Sequence, residues 1–285
     1  MKKLAFVALA MFVLVFALGC TGGKKETSGV GSGYTLSVTP TELITNGTTT
    51  IDLRLENVFD KDMTNVQVWL KDVSHSAYQI DGEQNGTNKI GTIMPKQTYP
   101  VIMSLTSERA GTISGKHIEV CFEYDTEYYF DIGMKSKKQA SEVLSVESGA
   151  SSGPLSVSAT GFENIFYENG KGTGTLSLAN NWIGKISKIN SISAEFPTGG
   201  DLTSGLIAIS GCTSTATTNA KLDGTDTDKC GILSNDVAIA NGLTLRAEVN
   251  VNKLATTSTV ERTQGNVNYT YCYQIEMPTI TISSV

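Results

Sequence analysis

The stretch HIEVCFEYDTEYYFDI, residues 117–132, decides the fold class of this chain. Apolar or aromatic residues stand at every second position from Ile118 to Tyr124, and charged residues or Cys121 stand between them. A period of two residues is typical of a β-strand with one buried face, whereas a helix needs a period near 3.6. We therefore expect two strands here, joined by a short turn near Asp125.

The aromatic end of this stretch also suggests a contact residue. Alternation assigns Tyr128 and Phe130 to the core face and Tyr129 to the opposite face. A tyrosine ring on an exposed face can stack on a sugar or pack against another protein. Tyr129 is therefore our candidate contact residue, and its two neighbours are predicted core residues.

The same alternation recurs along the chain and predicts an all-β protein. It is present in TTTIDLRLEN (residues 48–57), NVQVWL (65–70) and NYTYCYQI (268–275). Charged residues make up only 18% of the sequence, glycine is abundant, and long helical periodicity is missing. Short strands separated by turn residues favour β-sandwiches, and 285 residues suit two such domains.

An internal repeat supports a duplication. TNGTTTIDLRLEN (residues 45–57) and ENGKGTGTLSLAN (168–180) align at a constant offset of 123 residues, which pairs Asn57 with Asn180. The stretches around Cys121 and Cys272 align as well, and the second is expected to turn near Glu276. We predict two tandem Ig-like β-sandwich domains, with these bounds: domain 1 at 34–140, a linker at 141–153, domain 2 at 154–285, and an inserted loop in domain 2 at about 200–232.

The N-terminus predicts export. Two lysines precede an apolar run at residues 4–18, which is shorter than the roughly 20 residues needed to span a bilayer, so residues 1–19 are interpreted as a signal peptide. ALGC (residues 17–20) resembles the lipobox of lipoprotein signal peptides, in which the cysteine, here Cys20, carries the lipid. A Gly/Ser-rich tether at 20–33 would follow. Plain secretion and a retained membrane helix are the alternatives.

Charge and sequons fit an extracellular location. The formal net charge is −6, which argues against nucleic acid as a partner. Asn46, Asn85 and Asn268 each begin an N-x-Ser/Thr sequon and are candidate glycosylation sites. The alternative is that these triplets are only residues typical of turns and carry no glycan.

Four cysteines besides Cys20 allow three pairings, and disulfides are stable outside the cell. Cys212 and Cys230 enclose a polar segment that a cross-link would stabilise, so we favour a disulfide between them. Cys121 and Cys272 could bridge the two domains, bridge two molecules or remain thiols.

Signals for metals and catalysis are weak. Asp223, Asp226 and Asp228 are candidate calcium ligands, and a solvated acidic loop is the alternative. No two cysteines have the C-x-x-C spacing that is typical of zinc sites, so a zinc site is not expected. His75, with Asp81 downstream, could be imagined in a hydrolytic triad, but a surface loop is the simpler interpretation. We expect a non-enzymatic protein without a cofactor.

One resemblance carries more specific expectations. IDLRLENVFDKDMTNVQVWLKD (residues 51–72) resembles the opening hairpin of Ig-like domains in archaeal surface proteins, of the type called CARDB or S-layer-associated, and CFEYDTEYYFDI (121–132) is similar to their closing hairpins. The resemblance covers residues 34–135 and, more weakly, 153–285. It implies cell-surface adhesion or envelope structure and supplies no catalytic residues.

Two classes of function follow. The first is a lipid-anchored surface protein that makes adhesive or structural contacts with other envelope proteins or glycans, and that could self-associate through edge strands. The alternative is a surface lipoprotein that captures a glycan or a solute, although solute receptors usually have α/β lobes around a cleft. An extracellular hydrolase is a third and weaker alternative.

Overall fold

A computed structural model describes most of the chain outside its N-terminus. The described residues are 25–28, 33–71, 78–81, 87–107, 109–135, 143–162, 166–167, 170–195, 207–214, 222–226, 229–232, 243–251 and 258–284. All regular secondary structure in these ranges is β-strand, which confirms the all-β prediction. Among the described residues, no helix is long and apolar enough to cross a membrane.

The strands are β1 (Lys25–Ser28), β2 (Tyr34–Thr39), β3 (Glu42–Ile44), β4 (Thr48–Glu56), β5 (Met63–Lys71), β6 (Tyr78–Asp81), β7 (Thr87–Ile93), β8 (Thr98–Ser107), β9 (Gly111–Ile113), β10 (His117–Lys135), β11 (Ser148–Ala150), β12 (Leu155–Thr160), β13 (Phe166–Tyr167), β14 (Gly170–Asn180), β15 (Lys185–Glu195), β16 (Ile207–Ser214), β17 (Leu222–Asp226), β18 (Lys229–Ile232), β19 (Leu243–Val251), β20 (Thr259–Glu276) and β21 (Ile280–Ser283).

Two smaller sheets repeat one topology. The first has the order β1-β2-β4-β8-β6, and the second has the order β12-β14-β19-β16. Without β1, the two orders match strand for strand, and every pairing in both sheets is antiparallel. This agreement supports the duplication that the sequence repeat predicts.

A nine-stranded sheet lies at the centre of the fold. Its main path is β17-β18-β15-β20-β10-β5-β7, so equivalent strands of the two repeats occupy mirrored positions around β10 and β20. These two strands pair in antiparallel register from His117 to Met134. We call β10 and β20 the central ribbon, and at about 3.3 Å per residue it is roughly 60 Å long.

The central ribbon corrects one prediction. The expected turn near Asp125 is absent, because β10 runs without interruption from His117 to Lys135. Asp125 lies opposite Asn268, whose Nδ2 donates to Asp125 Oδ1 at 2.9 Å, so this polar position is accommodated within the ladder. The other expected turn is present, since β20 ends at Glu276 and β21 begins at Ile280.

The hydrophobic core lies between the central sheet and the two smaller sheets. Ile118, Val120, Phe122 and Tyr124 are buried in it, as alternation predicts, and Tyr128 and Phe130 are buried as well. A single core cluster includes residues of both smaller sheets, among them Leu36, Leu53, Leu105, Leu155, Leu176 and Leu178. The architecture is a β-sandwich whose central sheet is shared by the two halves.

Each ribbon strand packs against both halves. Phe130 of the first half stacks on Phe162 of the second, with ring centroids 4.2 Å apart. Tyr273 of the second half stacks on Tyr34 of the first, at 6.2 Å. A further small sheet places β21 parallel to β3 and antiparallel to β9. Strands therefore pair across the predicted linker, and the division into two domains at 141–153 stays a prediction.

Two segments expected to lack regular structure contain strands. Within the predicted tether 20–33, Lys25–Ser28 pair with β2 and extend the edge of the first smaller sheet. Within the predicted linker, Ser148–Ala150 pair with Tyr128–Phe130 of β10. In both places the open edge of a neighbouring strand offers backbone donors and acceptors, which outweighs the low strand propensity of the segment.

The predicted insertion is also partly strand. Its described residues form β16, β17 and β18, which pair into the second smaller sheet and into the central sheet. By topology, β16 is the counterpart of β6 and β18 that of β7. The described part of residues 200–232 is therefore integrated into both sheets.

Candidate functional site

The central ribbon has an outer face, turned away from the core, and this face carries the polar chemistry of the fold. Odd-numbered residues of β10 and even-numbered residues of β20 point to it, because they alternate with the buried positions. The matched register brings these side chains together in pairs across the two strands. The candidate site therefore lies on the outer face of the central ribbon.

A disulfide lies on the outer face and joins the two halves of the chain. Cys121 and Cys272 are directly opposite in the ladder, with their Cα atoms 4.2 Å apart, and their sulfur atoms are bonded. This spacing is close to that of a non-hydrogen-bonded antiparallel pair. Of the three alternatives left open by the sequence, the structure shows an intramolecular bridge between the halves.

Most polar groups near the disulfide satisfy one another. Lys71 Nζ lies 2.7 Å from Glu119 Oε2, and Gln274 Nε2 donates to Glu119 Oε1 at 3.3 Å. On the other side of the disulfide, Asn190 Nδ2 donates to Asn268 Oδ1 at 2.7 Å. Buried or half-buried polar groups with such partners stabilise the sheet, so we assign these residues a structural role.

A cavity opens on the outer face of the central ribbon, beside residues 127–129 of β10 and 264–266 of β20. It has a volume of about 550 Å³, which is within the usual range for small-molecule sites. Strand alternation turns four of its lining side chains, those of Glu127, Tyr129, Gln264 and Asn266, to the outer face. The described residues that line the cavity are Glu127, Tyr128, Tyr129, Ala150, Ser151, Gln264, Gly265 and Asn266.

Tyr129 forms a fixed wall of this cavity. The guanidinium carbon of Arg262 lies 4.3 Å from the ring centroid, which is a cation–π contact. Gly149 lies against the ring, because a Cβ added there would be 2.8 Å from the nearest ring carbon. The contact residue suggested by the sequence is therefore on the outer face and held in one orientation, while its role in binding stays a prediction.

The charge of Arg262 is compensated within the protein. Its Nε lies 2.8 Å from Asp131 Oδ1 and its Nη2 lies 3.2 Å from Asp131 Oδ2. The hydrogen bonds from Arg262, together with one from the backbone N–H of Glu147, hold the pKa of the Asp131 carboxyl below its usual range. The same pair raises the pKa of Arg262. Arg262 therefore orients Tyr129 and does not present a free positive charge.

An unpartnered acceptor lies beneath the wall of the cavity. Asn266 Oδ1 is buried and receives no hydrogen bond from any residue that the structure describes. Leaving such an atom without a donor costs about 1 to 3 kcal/mol, so its presence beneath a cavity wall is informative. Nearby, Glu127 pairs with Lys61 Nζ, and Ser151 Oγ accepts from the backbone N–H of Glu127 at 3.0 Å.

The other candidate residues lie elsewhere. Asn46 is exposed in the turn before β4, with a φ of 66°, whereas Asn268 is half-buried in β20. Cys212 lies in β16 and Cys230 in β18, which belong to different sheets, so their predicted disulfide stays a prediction. Outside the described residues lie the signal peptide, Cys20, His75, Asn85 and Asp228.

The calcium hypothesis stays untested. Asp223 and Asp226 lie in β17, and Asp228 is outside the described part of the chain. Among the residues that the structure does describe, no group of three or more His, Cys, Asp or Glu side chains could hold a metal ion.

Sequence reasoning missed three residues of this site, namely Arg262, Gln264 and Asn266. Alternation along TVERTQGNVNYTYCYQI (residues 259–275) could have placed them on one face. What it could not supply is the register with β10, which sets Gln264 opposite Tyr129 and Asn266 opposite Glu127. The cavity exists only through that long-range pairing.

Comparisons with known proteins leave the family open. No family model and no curated protein matches the chain. Among solved structures, it is similar to a collagen adhesin from S. aureus (11% identity, 93% of both chains covered, TM-score 0.21) and a membrane-anchored protein from Corynebacterium diphtheriae (11% identity, 87% of this chain and 92% of that one, TM-score 0.25). At these TM-scores, neither similarity carries a conclusion about function.

Proposed function

We propose that this chain is a non-enzymatic cell-surface protein, held at the membrane through a lipid on Cys20, that makes adhesive contacts in the cell envelope through the cavity beside Tyr129. The observation that carries the proposal is the cavity itself, in which an oriented aromatic ring and the exposed amide of Gln264 share the outer face of a sheet.

The disulfide supports the extracellular part of the proposal. Cys121 and Cys272 form the bridge near the His117 end of the central ribbon, between strands that come from opposite halves of the chain. Structural disulfides form and persist in oxidising compartments and are rare in the cytosol of most cells. The bridge therefore agrees with the export signal that the N-terminal sequence predicts.

The rigidity of the scaffold supports the binding part. Precise sites are built more readily on strands than on loops, because neighbouring strands fix each backbone position. Glu127 and Tyr129 lie in a strand that is paired on both sides near Tyr129, by β20 and by β11. A contact surface on such a sheet loses little conformational entropy on binding.

The concave shape also favours the alternative function, capture of a glycan or a solute by a surface lipoprotein. Adhesive contact between proteins usually uses a flatter and larger interface, of about 800 Å² per partner. Capture and adhesion predict the same cavity residues, and they differ in whether an isolated small ligand binds without the rest of the envelope.

Replacement of Cys20 tests the anchor. In cells that express the full chain, Cys20→Ser should move the protein from the membrane fraction to the medium, whereas Thr21→Ser should leave it in the membrane. A Cys20→Ser protein that stays in the membrane with residues 1–19 attached would contradict lipid anchoring.

Replacement of cavity side chains tests adhesion. Mature protein carrying Gln264→Ala or Tyr129→Leu should bind isolated envelope fragments at least several-fold more weakly than the unaltered protein. Gln67→Ala is the matched control, because Gln67 lies opposite Cys121 on the same face but outside the cavity. Equal binding by all these proteins would exclude the cavity as the contact site.

A further inference from the structure

We infer that the cavity beside Tyr129 recognises a neutral, hydroxyl-rich ligand, which in chemical class is a saccharide. The inference rests on the proposed function, because it names the chemistry that the contact site would take. The charges, the hydrogen-bonding groups and the aromatic wall of the cavity support it.

The charges around the cavity are already paired. Glu127 is the one acidic or basic side chain among the described lining residues, and it forms an ion pair with Lys61. Arg262 stacks on Tyr129 in the cavity wall, and Asp131 neutralises its charge. Its Nη2 also lies 3.5 Å from Glu147 Oε2. An anionic ligand finds no free positive charge in the described lining and would approach the Glu127 carboxylate, whose side chain is 67% exposed. The cavity therefore suits a neutral ligand better than an anionic one.

The hydrogen-bonding groups require a ligand that both donates and accepts. The exposed amide of Gln264 supplies both a donor and an acceptor, while Asn266 Oδ1, two residues later, is covered and is not offered to a ligand. Hydroxyl groups serve both needs, because each hydroxyl has one O–H donor and two lone pairs. An apolar ligand would cover the Gln264 amide and leave its donor and acceptor unsatisfied, which is unfavourable. Adjacent hydroxyls on one ring are the neutral groups that fit this amide best.

The aromatic wall of the cavity matches the apolar face of a sugar ring. One side of a pyranose carries C–H groups that pack on an aromatic surface, while its hydroxyls point outward. Arg262 covers one face of the Tyr129 ring, so the part of the ring that lines the cavity is the surface for such packing, and Arg262 and Gly149 hold the ring in place before any ligand arrives. A side chain that is already oriented adds affinity because binding does not have to immobilise it. A volume of about 550 Å³ accommodates one to a few sugar units.

The inference is tested on the disulfide-bonded mature chain. Titration calorimetry is performed with neutral oligosaccharides (cello-, manno- and chito-oligosaccharides) and with uronate-containing oligosaccharides as the charged counterparts. We expect at least one neutral series to bind and the uronate series to bind at least tenfold more weakly. Binding of the uronate series alone would overturn the inference, and so would absence of binding by every neutral series.

Three variants connect binding to the cavity. Gln264→Leu and Tyr129→Leu should each weaken binding of the neutral oligosaccharide at least tenfold, and Gln67→Ala should leave it unchanged. Gln264→Leu has a second readout, since a substitution at an exposed position should leave the urea midpoint nearly unchanged. Binding that survives both cavity substitutions would place the saccharide elsewhere and overturn the inference.

Failure of the inference can be told apart from failure of the proposed function. If the cavity variants lose attachment to envelope fragments but excess neutral oligosaccharide does not compete with attachment, the contact site stands and the ligand class is wrong. If the variants keep full attachment, the proposed contact site itself is wrong.

Discussion

Phe59 and Trp182 contact each other edge to face, with their ring centroids 5.0 Å apart and an interplanar angle of 78°. They occupy equivalent positions in the two repeats, each two residues after a repeated asparagine. The contact therefore joins the two halves of the fold at matching points. Around them pack aromatic rings from both ribbon strands, namely Phe122, Tyr124, Tyr271 and Tyr273.

The two asparagines explain why these rings meet. Asn57 Nδ2 donates to Lys61 O at 2.7 Å, and its Oδ1 accepts from the backbone N–H of Phe59 at 3.0 Å. Asn180 makes the same two bonds, to Gly184 O at 2.6 Å and from the N–H of Trp182 at 3.3 Å. Each asparagine thus fixes the turn that leads from one sheet to the other and presents an aromatic residue to the shared core.

Removing one of these rings should destabilise both halves. Phe59 is 7% exposed, so Phe59→Ala should lower the free energy of unfolding by about 3 to 5 kcal/mol. A double-mutant cycle with Trp182→Ala, measured by urea unfolding, should show a coupling of about 0.5 to 1.5 kcal/mol. Tyr167→Ala, at a residue that is 42% exposed, is the control and should have a small effect. Strictly additive losses would contradict the contact.

Separate halves should not fold as stable monomers. Residues 33–140 alone would expose the whole β20-facing edge of β10, and residues 143–285 would expose the matching edge of β20. Unpaired edges of that length favour aggregation or pairing with another copy. We expect poor solubility of each piece alone and recovery of a 1:1 complex when the two are refolded together, as measured by size-exclusion chromatography. Two monomeric pieces with cooperative unfolding would support the original division into independent domains.

The disulfide should contribute strongly to stability. Its cysteines are 151 residues apart, and closing a loop of that size is worth about 5 kcal/mol in the chain-entropy model. The double variant Cys121→Ala, Cys272→Ala should therefore unfold at a lower urea concentration than the parent. A reductant should lower the midpoint of the parent and leave that of the double variant unchanged. Equal midpoints without reductant would show that the pair is not bridged in solution.

Alkaline pH should unfold the protein through its buried tyrosines. Burial raises the pKa of Tyr271 to about 12 and shifts those of four other core tyrosines upward as well, namely Tyr124, Tyr128, Tyr269 and Tyr273. In the unfolded chain these groups ionise near pH 10, so stability is fully present below that pH and is lost as the pH rises above it.

Tyrosinate absorbance measures this effect. The part of its rise that comes from these five tyrosines should lie above the ordinary tyrosine range and should coincide with loss of the β-sheet circular dichroism signal. Ionisation of all tyrosines near pH 10 with the fold retained would show that the aromatic core is open to water.

The sequons should differ in use. Asn46 is exposed in a turn, while the amide of Asn268 donates to Asp125 and accepts from Asn190. In a host that glycosylates exported proteins, Asn46→Gln should remove one glycan from the intact mass, and Asn268→Gln should leave the mass pattern unchanged apart from the substitution. A glycan mapped to Asn268 would contradict the described packing of that side chain.

The prediction from sequence succeeded where the determining interactions are local. Alternation in residues 117–124 set which side chains face the core, because successive residues of a strand point to opposite faces whatever they pair with. It also placed Tyr128 and Phe130 in the core and Tyr129 on the other face. It failed at Asp125, where a polar residue suggested a turn, because the carboxylate finds its partner, Asn268, far away in the chain.

The repeat shows the same limit. The sequence aligns Cys121 with Cys272, yet equivalent hydrogen bonds are made by Tyr124 and Tyr271: Lys61 N–H donates to the first hydroxyl and Gly184 N–H to the second. Lys61 and Gly184 are equivalent in the repeat, so the two tyrosines that they contact are equivalent as well. Tyr124 lies three residues after Cys121, whereas Tyr271 lies one residue before Cys272. The two cysteines are therefore opposite each other in the ladder but are not equivalent positions of the repeat. The similar sequences around the cysteines suggested that Cys121 and Cys272 are equivalent, whereas the hydrogen bonds show that Tyr124 and Tyr271 are equivalent.

By itself, the sequence determined the all-β class, the internal repeat and the core-facing side of residues 117–124, since these depend on residue order and local geometry, and it predicts export. Only the tertiary structure decided that the two halves share one sheet, that Cys121 bonds Cys272, and that Tyr129, Arg262, Gln264 and Asn266 surround one cavity. The physical reason is that strand pairing between distant segments is set by the total packing of the core and by the register of the ladder. Neither quantity can be read from the residues of one strand.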